Sequence, residues 1–279
     1  MVGGSRLRRR PRAPRVTVSF EPPARLRTRY GEWAWSVVWE HDEGTTWRIG
    51  HHDGTVHFLK VGHTDRRPSA FDEAPRLRWA RAFLPVPDVL EYGRDDGVEW
   101  LLTVGLDGID ATRHPLLTDD PTRLVAILAR GLAEFHARAP AEECPFEFGV
   151  ETALAHVRRR VVAGCIDPAR DFHEIHAHFT PGSALAELER LAPDDEDRVV
   201  CHGDYCFPNV LLDDDGAVTG FLDLGELGVA DRWWDVAVGS WSVDWNIEPG
   251  YDELFVSAYG LEPDPGRLAF YRLLYDLAS

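Results

Sequence analysis

Lysine is nearly missing from this chain. Of 30 basic residues only Lys60 carries an ammonium, and every other one is an arginine. The one ammonium therefore either fills a role that needs a compact point charge on a flexible stem or is an ordinary surface residue. Cysteine is scarce as well. Cys144, Cys165, Cys201 and Cys206 contain no Cys-x-x-Cys pair, which argues against a disulfide scaffold and fits a cytoplasmic location. His51-His52 and the trio His173, His176 and His178 lack partners at the spacing of a structural zinc site, and the trio reads as part of a polar loop. No apolar run approaches the roughly 18 residues that cross a bilayer, so no membrane span is expected. Nor does the chain contain a G-x-G-x-x-G run.

What is present suits a large folded body. With 279 residues and 44% hydrophobic side chains, the chain can bury a substantial core, and its length fits two lobes. Residues 1–15 hold six arginines and no acid. With no apolar stretch behind them they read as a flexible basic tail rather than a secretory leader, and nothing aromatic or motif-like supports a nucleic-acid arm. Without those six, 24 basic side chains face 47 acidic ones, a net −23. A surface of that sign repels nucleic acid and anionic lipid and attracts a small polycation, unless it serves solubility alone. The expected partner is a cationic small molecule, with no nucleic acid and no membrane, and the expected assembly is a monomer or weak dimer.

The densest chemical signal is His202-Gly203-Asp204-Tyr205-Cys206-Phe207-Pro208-Asn209, followed by Phe221-Leu222-Asp223-Leu224-Gly225. Between them Val210-Leu211-Leu212, a turn at Asp213-Asp214-Asp215-Gly216 and a second apolar stretch read as a β-hairpin that returns Asp223 toward Asn209. Solvated turns also collect Asp, Gly and Asn, but here the cluster is bounded by strand-like segments. Asp204 suits the orientation and deprotonation of an attacking hydroxyl, while Asn209 and Asp223 offer hard oxygen ligands for Mg²⁺ carrying ATP phosphates.

Lys60 ends the strand-like Val56-His57-Phe58-Leu59, where it would reach those phosphates, and Glu73 opens a helical segment (73–83) from which it would pair with Lys60. The turn Glu43-Gly44-Thr45-Thr46 either closes over the phosphates or is a plain hairpin turn. Residues 16–104 read as an N-terminal nucleotide-binding lobe of antiparallel strands with that one helix. Gly105-Leu106-Asp107-Gly108 is a bendable crossing, and backbone groups from Val104 to Leu106 are candidates for binding adenine. Residues 105–279 read as a mainly helical catalytic and acceptor-binding lobe, with helices at 122–137, 152–162, 183–191, 251–259 and 268–277. Asp235 is a candidate brace for the catalytic loop. Asp167, Asp171, Glu174, Asp276 and the Ser279 carboxylate either bind ammonium groups of an acceptor or are solvated acids, and Tyr275 either stacks on a sugar ring or anchors the last helix.

The run from Val200 to Leu212, with Gly220-Phe221-Leu222-Asp223-Leu224-Gly225 and Gly228-Val229-Ala230-Asp231-Arg232, resembles the bacterial aminoglycoside O-phosphotransferases, especially the 3′-phosphotransferase group. The likeness runs from about Glu40 through Asp276, tightest around Asp204 and Asp223. It implies an α+β, protein-kinase-like two-lobed fold and ATP-dependent phosphorylation of an aminoglycoside hydroxyl, conferring antibiotic resistance. By that resemblance Asp204 is the catalytic base, Asn209 and Asp223 bind Mg²⁺, Lys60 contacts ATP phosphates, Glu73 positions the lysine, and Thr103 borders the adenine pocket. Glu174 and Asp276 resemble acceptor-binding acids, with an insertion near Asp171. Three departures bear on the acceptor. Glu226 follows Leu224-Gly225 where relatives commonly carry arginine, Trp245 stands where an acidic contact is expected, and Tyr275-Asp276 replaces an acidic pair. A kinase for another small hydroxylated antibiotic or amino-sugar, or a non-catalytic nucleotide-binding module, are the alternatives.

Overall fold

The computed structural model describes residues 20–41, 44–64, 68–95 and 97–278. The readings placed on residues 1–15, on Glu43 and on the Ser279 carboxylate lie outside them. The chain divides into two compact units: the first runs to Gly108 and takes in Thr219–Glu226, and the second comprises Ile109–Val218 and the chain from Leu227 on. Asp223 thus belongs to the same unit as Lys60, although it comes long after the crossing at Gly108.

In the first unit, α1 (Ala24–Arg29) precedes β1 (Ala34–His41), β2 (Gly44–Gly50) and β3 (Val56–His63), and α2 (Ala70–Ala80) precedes β4 (Val89–Asp95) and β5 (Val98–Val104). The five strands form one antiparallel sheet in the order β1-β2-β3-β5-β4. Side chains alternate between the faces of a strand, and that period sorts this sheet. Trp47 and Ile49 of β2, Leu59 and Val61 of β3, and Trp100 and Leu102 of β5 share one face, packed with Phe20, Leu26 and Tyr30. Lys60 is one residue out of phase with Leu59 and Val61 and pairs in register between Thr46 and Leu101. It therefore projects from the face opposite that core.

The expected turn over Gly44, Thr45 and Thr46 is corrected by this register. All three are strand residues, opposite Gly62, Val61 and Lys60. β-Branched threonines ahead of a tryptophan suit a pleated strand better than a turn. The Thr45 side chain is buried and its Oγ1 accepts from the Phe20 amide at 3.0 Å, so it belongs to the core rather than to a phosphate loop. Helix α2 starts ahead of Glu73 because Ser69 and Asp72 form a reciprocal capping box. Asp72 plays the part more often taken by Glu or Gln. Gly93 has a packing reason: a Cβ there would lie 2.3 Å from the Trp100 ring.

The second unit opens with β6 (Ile109–Asp110), α3 (Leu116–Asp119), α4 (Pro121–Arg138), α5 (Val150–Ala163), α6 (Pro168–Asp171) and α7 (Pro181–Leu191). Strands β7 (Arg198–Cys201) and β8 (Val210–Leu212) follow, and β9 (Val218–Phe221) carries the chain into the first unit. After its return come β10 (Gly228–Asp231), α8 (Trp233–Asn246), α9 (Asp252–Tyr259) and α10 (Pro265–Ala278). β7 pairs with β10, and β6 with β8. Helices α4 and α7 begin ahead of their first apolar residue because Asp120 and Thr180 cap them and a proline occupies the first turn. Proline there forfeits no intrahelical bond. Helix α8 is buried along its whole run from Trp233 to Val243 and forms the centre of this unit. Among the described residues no helix is long and apolar enough to cross a membrane.

Candidate active site

Around Lys60, charge is concentrated on the face of the sheet away from its core. Its Nζ lies 2.8 Å from both carboxylate oxygens of Glu73 and 2.8 Å from Oδ1 of Asp223. Burial opposes the ammonium's charge, but the carboxylates of Asp223 and Glu73 outweigh it and hold the lysine above its ordinary pKa. Glu73 is itself buried, whereas the Asp223 side chain is 41% exposed. Asp223 is also the only residue other than glycine, among those described, with a left-handed backbone, at φ 62°. A non-glycine residue held there costs conformational energy, and such residues gather at functional sites. Lys60, Gly62, Pro68, Ser69, Glu73 and Asp223 help line a shallow concavity that is open to solvent. One ammonium, a partly exposed carboxylate and a concave surface suit a nucleotide's phosphates with their divalent cation.

The candidate adenine contacts are more restricted than expected. The Val104 amide already donates to Asp88 and the Gly105 amide to Val56. Thr103 is buried, with Oγ1 within 3.5 Å of the Phe58 carbonyl, so it packs rather than presents a polar group. Leu106 lies beyond the end of the strand, outside the ladder.

In the second unit the loop after β7 is held from several elements. The backbone N–H groups of His202 and Gly203 donate to the two oxygens of Asp235 at 2.6 and 2.9 Å. Gly203 takes φ 90°, a conformation that L side chains rarely adopt, and its carbonyl accepts from the Trp234 indole at 2.7 Å. The Phe207 amide donates to Ser242 Oγ, and the buried Tyr205 hydroxyl donates to the Leu128 carbonyl. Asp204 comes out of this frame only partly buried. Asn209 Nδ2 donates to Asp204 Oδ2 at 3.0 Å and to its carbonyl at 2.9 Å. With the amide nitrogen committed, Oδ1 of Asn209 is the atom that fits a hard cation.

Behind the brace stands a part of the site that sequence reading missed. His136 Nε2 is 3.0 Å from Asp235 Oδ2 and Nδ1 is 2.7 Å from the Tyr259 hydroxyl. Asp235 accepts from Nε2, and Nδ1 is hydrogen-bonded to the Tyr259 hydroxyl. His136 lies four residues after Leu132 on the apolar face of α4, and that spacing was the available signal. His136, Cys201 and Asp235 present ligand-type atoms within 4.8 Å of one another. They form a hydrogen-bonded network instead of a metal cage, because both imidazole nitrogens are spent. Burial, with Asp235 and Asp231 nearby, also pushes the Cys201 thiol well up, against the thiolate a metal needs.

The proposed acceptor acids divide. Asp276 is buried, and its Oδ2 accepts from the His173 amide at 2.8 Å and pairs with His176 Nδ1 at 2.7 Å. It is a structural tie, and His176 is correspondingly buried rather than part of a polar loop. Asp171 caps its own short helix by accepting from the Asp167 amide, and Arg170 and Arg160 pair with it. Both carboxylates are occupied within the protein, which corrects their reading as open acceptor contacts. Glu174 is exposed, and Glu226 is partly buried in the first unit. Trp245 and Tyr275 lie near each other, ring centroids 6.4 Å apart, and the Tyr275 hydroxyl donates to Asp204 Oδ1 at 2.9 Å.

Alignment and charge are what phosphoryl transfer asks of a protein. A lysine–glutamate pair on a sheet-built unit and a braced aspartate loop in a helical one define the kinase-like phosphotransferases. The sequence profile of the phosphotransferase enzyme family matches residues 36–271. An aminoglycoside 3′-phosphotransferase of Streptomyces fradiae is 38% identical over 89% of this chain and 97% of its own length. The crystal structure of an aminoglycoside-3′-phosphotransferase of type VIII superposes with a TM-score of 0.81 at 34% identity, covering 91% of this chain and 97% of that one. The aminoglycoside phosphotransferase APH(3″)-Id of Streptomyces rimosus, in complex with ADP and streptomycin, gives a TM-score of 0.76 at 30% identity over 91% and 96% of the two chains. The chain belongs to the aminoglycoside O-phosphotransferase family and has its two-lobed kinase-like fold.

Proposed function

We propose that the protein transfers the γ-phosphoryl of ATP to the 3′-hydroxyl of an aminoglycoside antibiotic, inactivating it and releasing ADP, in the cytoplasm. The observation that carries this reading is the Lys60–Glu73–Asp223 charge cluster, with Nζ at 2.8 Å from both acids. Glu73 fixes the ammonium, which binds phosphate oxygens as a point charge. Asp223 and Asn209 would hold Mg²⁺ through hard oxygens, and an ion bound there would supply positive charge against the phosphates. Asp204 accepts the proton of the attacking hydroxyl, and Leu106 borders the adenine. Exposed Glu174 offers a carboxylate to an ammonium of the acceptor.

A matched pair of acceptors tests the regiochemistry. Purified protein with ATP and Mg²⁺ should convert kanamycin B to a monophosphate seen by mass spectrometry and leave its 3′-deoxy analogue unmodified. Equal phosphorylation of both would move the reaction to another hydroxyl. No product across a broad aminoglycoside panel would overturn the acceptor class. Aromatic Trp245 and Tyr275, standing where acids are expected, favour a second reading in which the acceptor carries fewer ammonium groups and is another small hydroxylated antibiotic.

A further inference from the structure

Tyr275 is the aromatic side chain that reaches the aspartate at the centre of the site. Its hydroxyl donates to Asp204 Oδ1 at 2.9 Å, while Asn209 Nδ2 donates to Oδ2 at 3.0 Å, so each oxygen of the carboxylate has its own donor. The phenol is also held along its length. Its ring centroid lies 6.5 Å from that of Trp241 and 6.4 Å from that of Trp245. Trp241 is only 2% exposed and packs edge-on against His173 and His176 at 4.7 and 5.5 Å. Asp276, the next residue along α10, ties down the backbone of His173 and the ring of His176. A side chain fixed by packing at its ring delivers its hydroxyl to a defined point.

We propose that Tyr275 is a positioning residue for phosphoryl transfer, setting the rotation of the Asp204 carboxylate. This role rests on Asp204 being the base. A carboxylate oxygen has two lone pairs, and Tyr275 takes one of those on Oδ1. The other is left for the acceptor hydroxyl. In the transfer step the acceptor oxygen bonds to the γ-phosphorus, the bond from that phosphorus to the departing ADP oxygen breaks, and the hydroxyl proton passes to Asp204. Tyr275 keeps its own proton throughout. With the phenolic donor removed, Asp204 is held by Asn209 alone and spends less time in the productive rotation.

The test is steady-state kinetics of Tyr275→Phe with kanamycin B and ATP, beside Asp204→Asn and the double variant. Phenylalanine keeps the ring packing, so the melting temperature should stay close to the parent's and both KM values within about twofold of it, while kcat falls by about tenfold or more. Because Tyr275 acts through Asp204, adding Tyr275→Phe to Asp204→Asn should cause no further loss. An unchanged kcat in Tyr275→Phe overturns the role, as does a raised KM for kanamycin B with kcat intact, which would make Tyr275 an acceptor contact. Asp204→Asn tells the two levels apart. Full turnover in that variant removes the base and this role together, whereas a dead Asp204→Asn beside an unimpaired Tyr275→Phe removes only the role of Tyr275.

Discussion

At Lys60 one ammonium answers two carboxylates, and the balance is electrostatic. Glu73 is buried and Asp223 is half open, so the lysine is what makes the burial of Glu73 tolerable. Lys60→Met keeps the stem and removes the charge. It takes the ammonium away from a buried carboxylate, and the melting temperature at neutral pH should drop while the KM for ATP rises by roughly tenfold or more. The folded pKa of Lys60 is raised, so its contribution to stability is complete below the unfolded value of about 10.4 and is lost as pH climbs through the folded value. Thermal melts from pH 8 to 11 should show that alkaline decline in the parent protein and a shallower one in Lys60→Met. Parallel curves would mean that the lysine is not the group that titrates. Arginine would not replace it, since a planar fork cannot sit as a point between two acids.

Between elements, the packing of α8, α9 and α10 puts Asp244 where its charge is disfavoured. Burial raises its pKa to about 6, the nearby Asp252 adds to this, and Arg272 only partly offsets it. An acid with a raised folded pKa binds its proton more tightly in the folded state, so its contribution is most favourable below the unfolded value and is lost as pH rises through about 6. Asp244→Asn should therefore melt higher than the parent at pH 7.5 and about the same at pH 4. A variant that melts lower at both would show that the carboxylate makes a net favourable contact. The same elements show what a sequence does and does not disclose. Lys60 stood out as the one lysine in the sequence, at the end of a strand-like run. Helices α4, α5, α7, α9 and α10 were legible because their apolar residues repeat every three or four positions, whereas α8, buried on all sides, shows no such face. Helix starts were not legible, because caps such as Ser69 with Asp72 lie outside the apolar pattern. Whether an acid is open or spent was also hidden. Asp276 is tied to residues about a hundred positions earlier, and no spacing rule records that pairing. The Thr45 hydroxyl and the His136–Tyr259 pair behind Asp235 were concealed for the same reason.

Over the whole molecule the dominant quantity is charge, a net −17 for the full chain with histidine neutral. Such a surface raises the local concentration of a small polycation and lowers that of an anion, and both effects weaken as salt shortens the screening length. The two substrates of the proposed reaction have opposite signs, which makes the field testable without a mutation. As NaCl rises from about 20 to about 200 mM, the screening length falls from roughly 20 to roughly 7 Å, and the KM for kanamycin B should increase several-fold. The KM for MgATP should change less, or fall, because screening relieves repulsion between nucleotide and protein. A maximal rate that stays constant would place the effect in encounter and binding and leave the chemical step untouched. If kanamycin B shows no salt dependence, the acidic surface has no part in acceptor capture. Recognition would then rest on short contacts such as Glu174 and the Trp245–Tyr275 pair, and an acceptor poor in ammonium groups would become the better candidate.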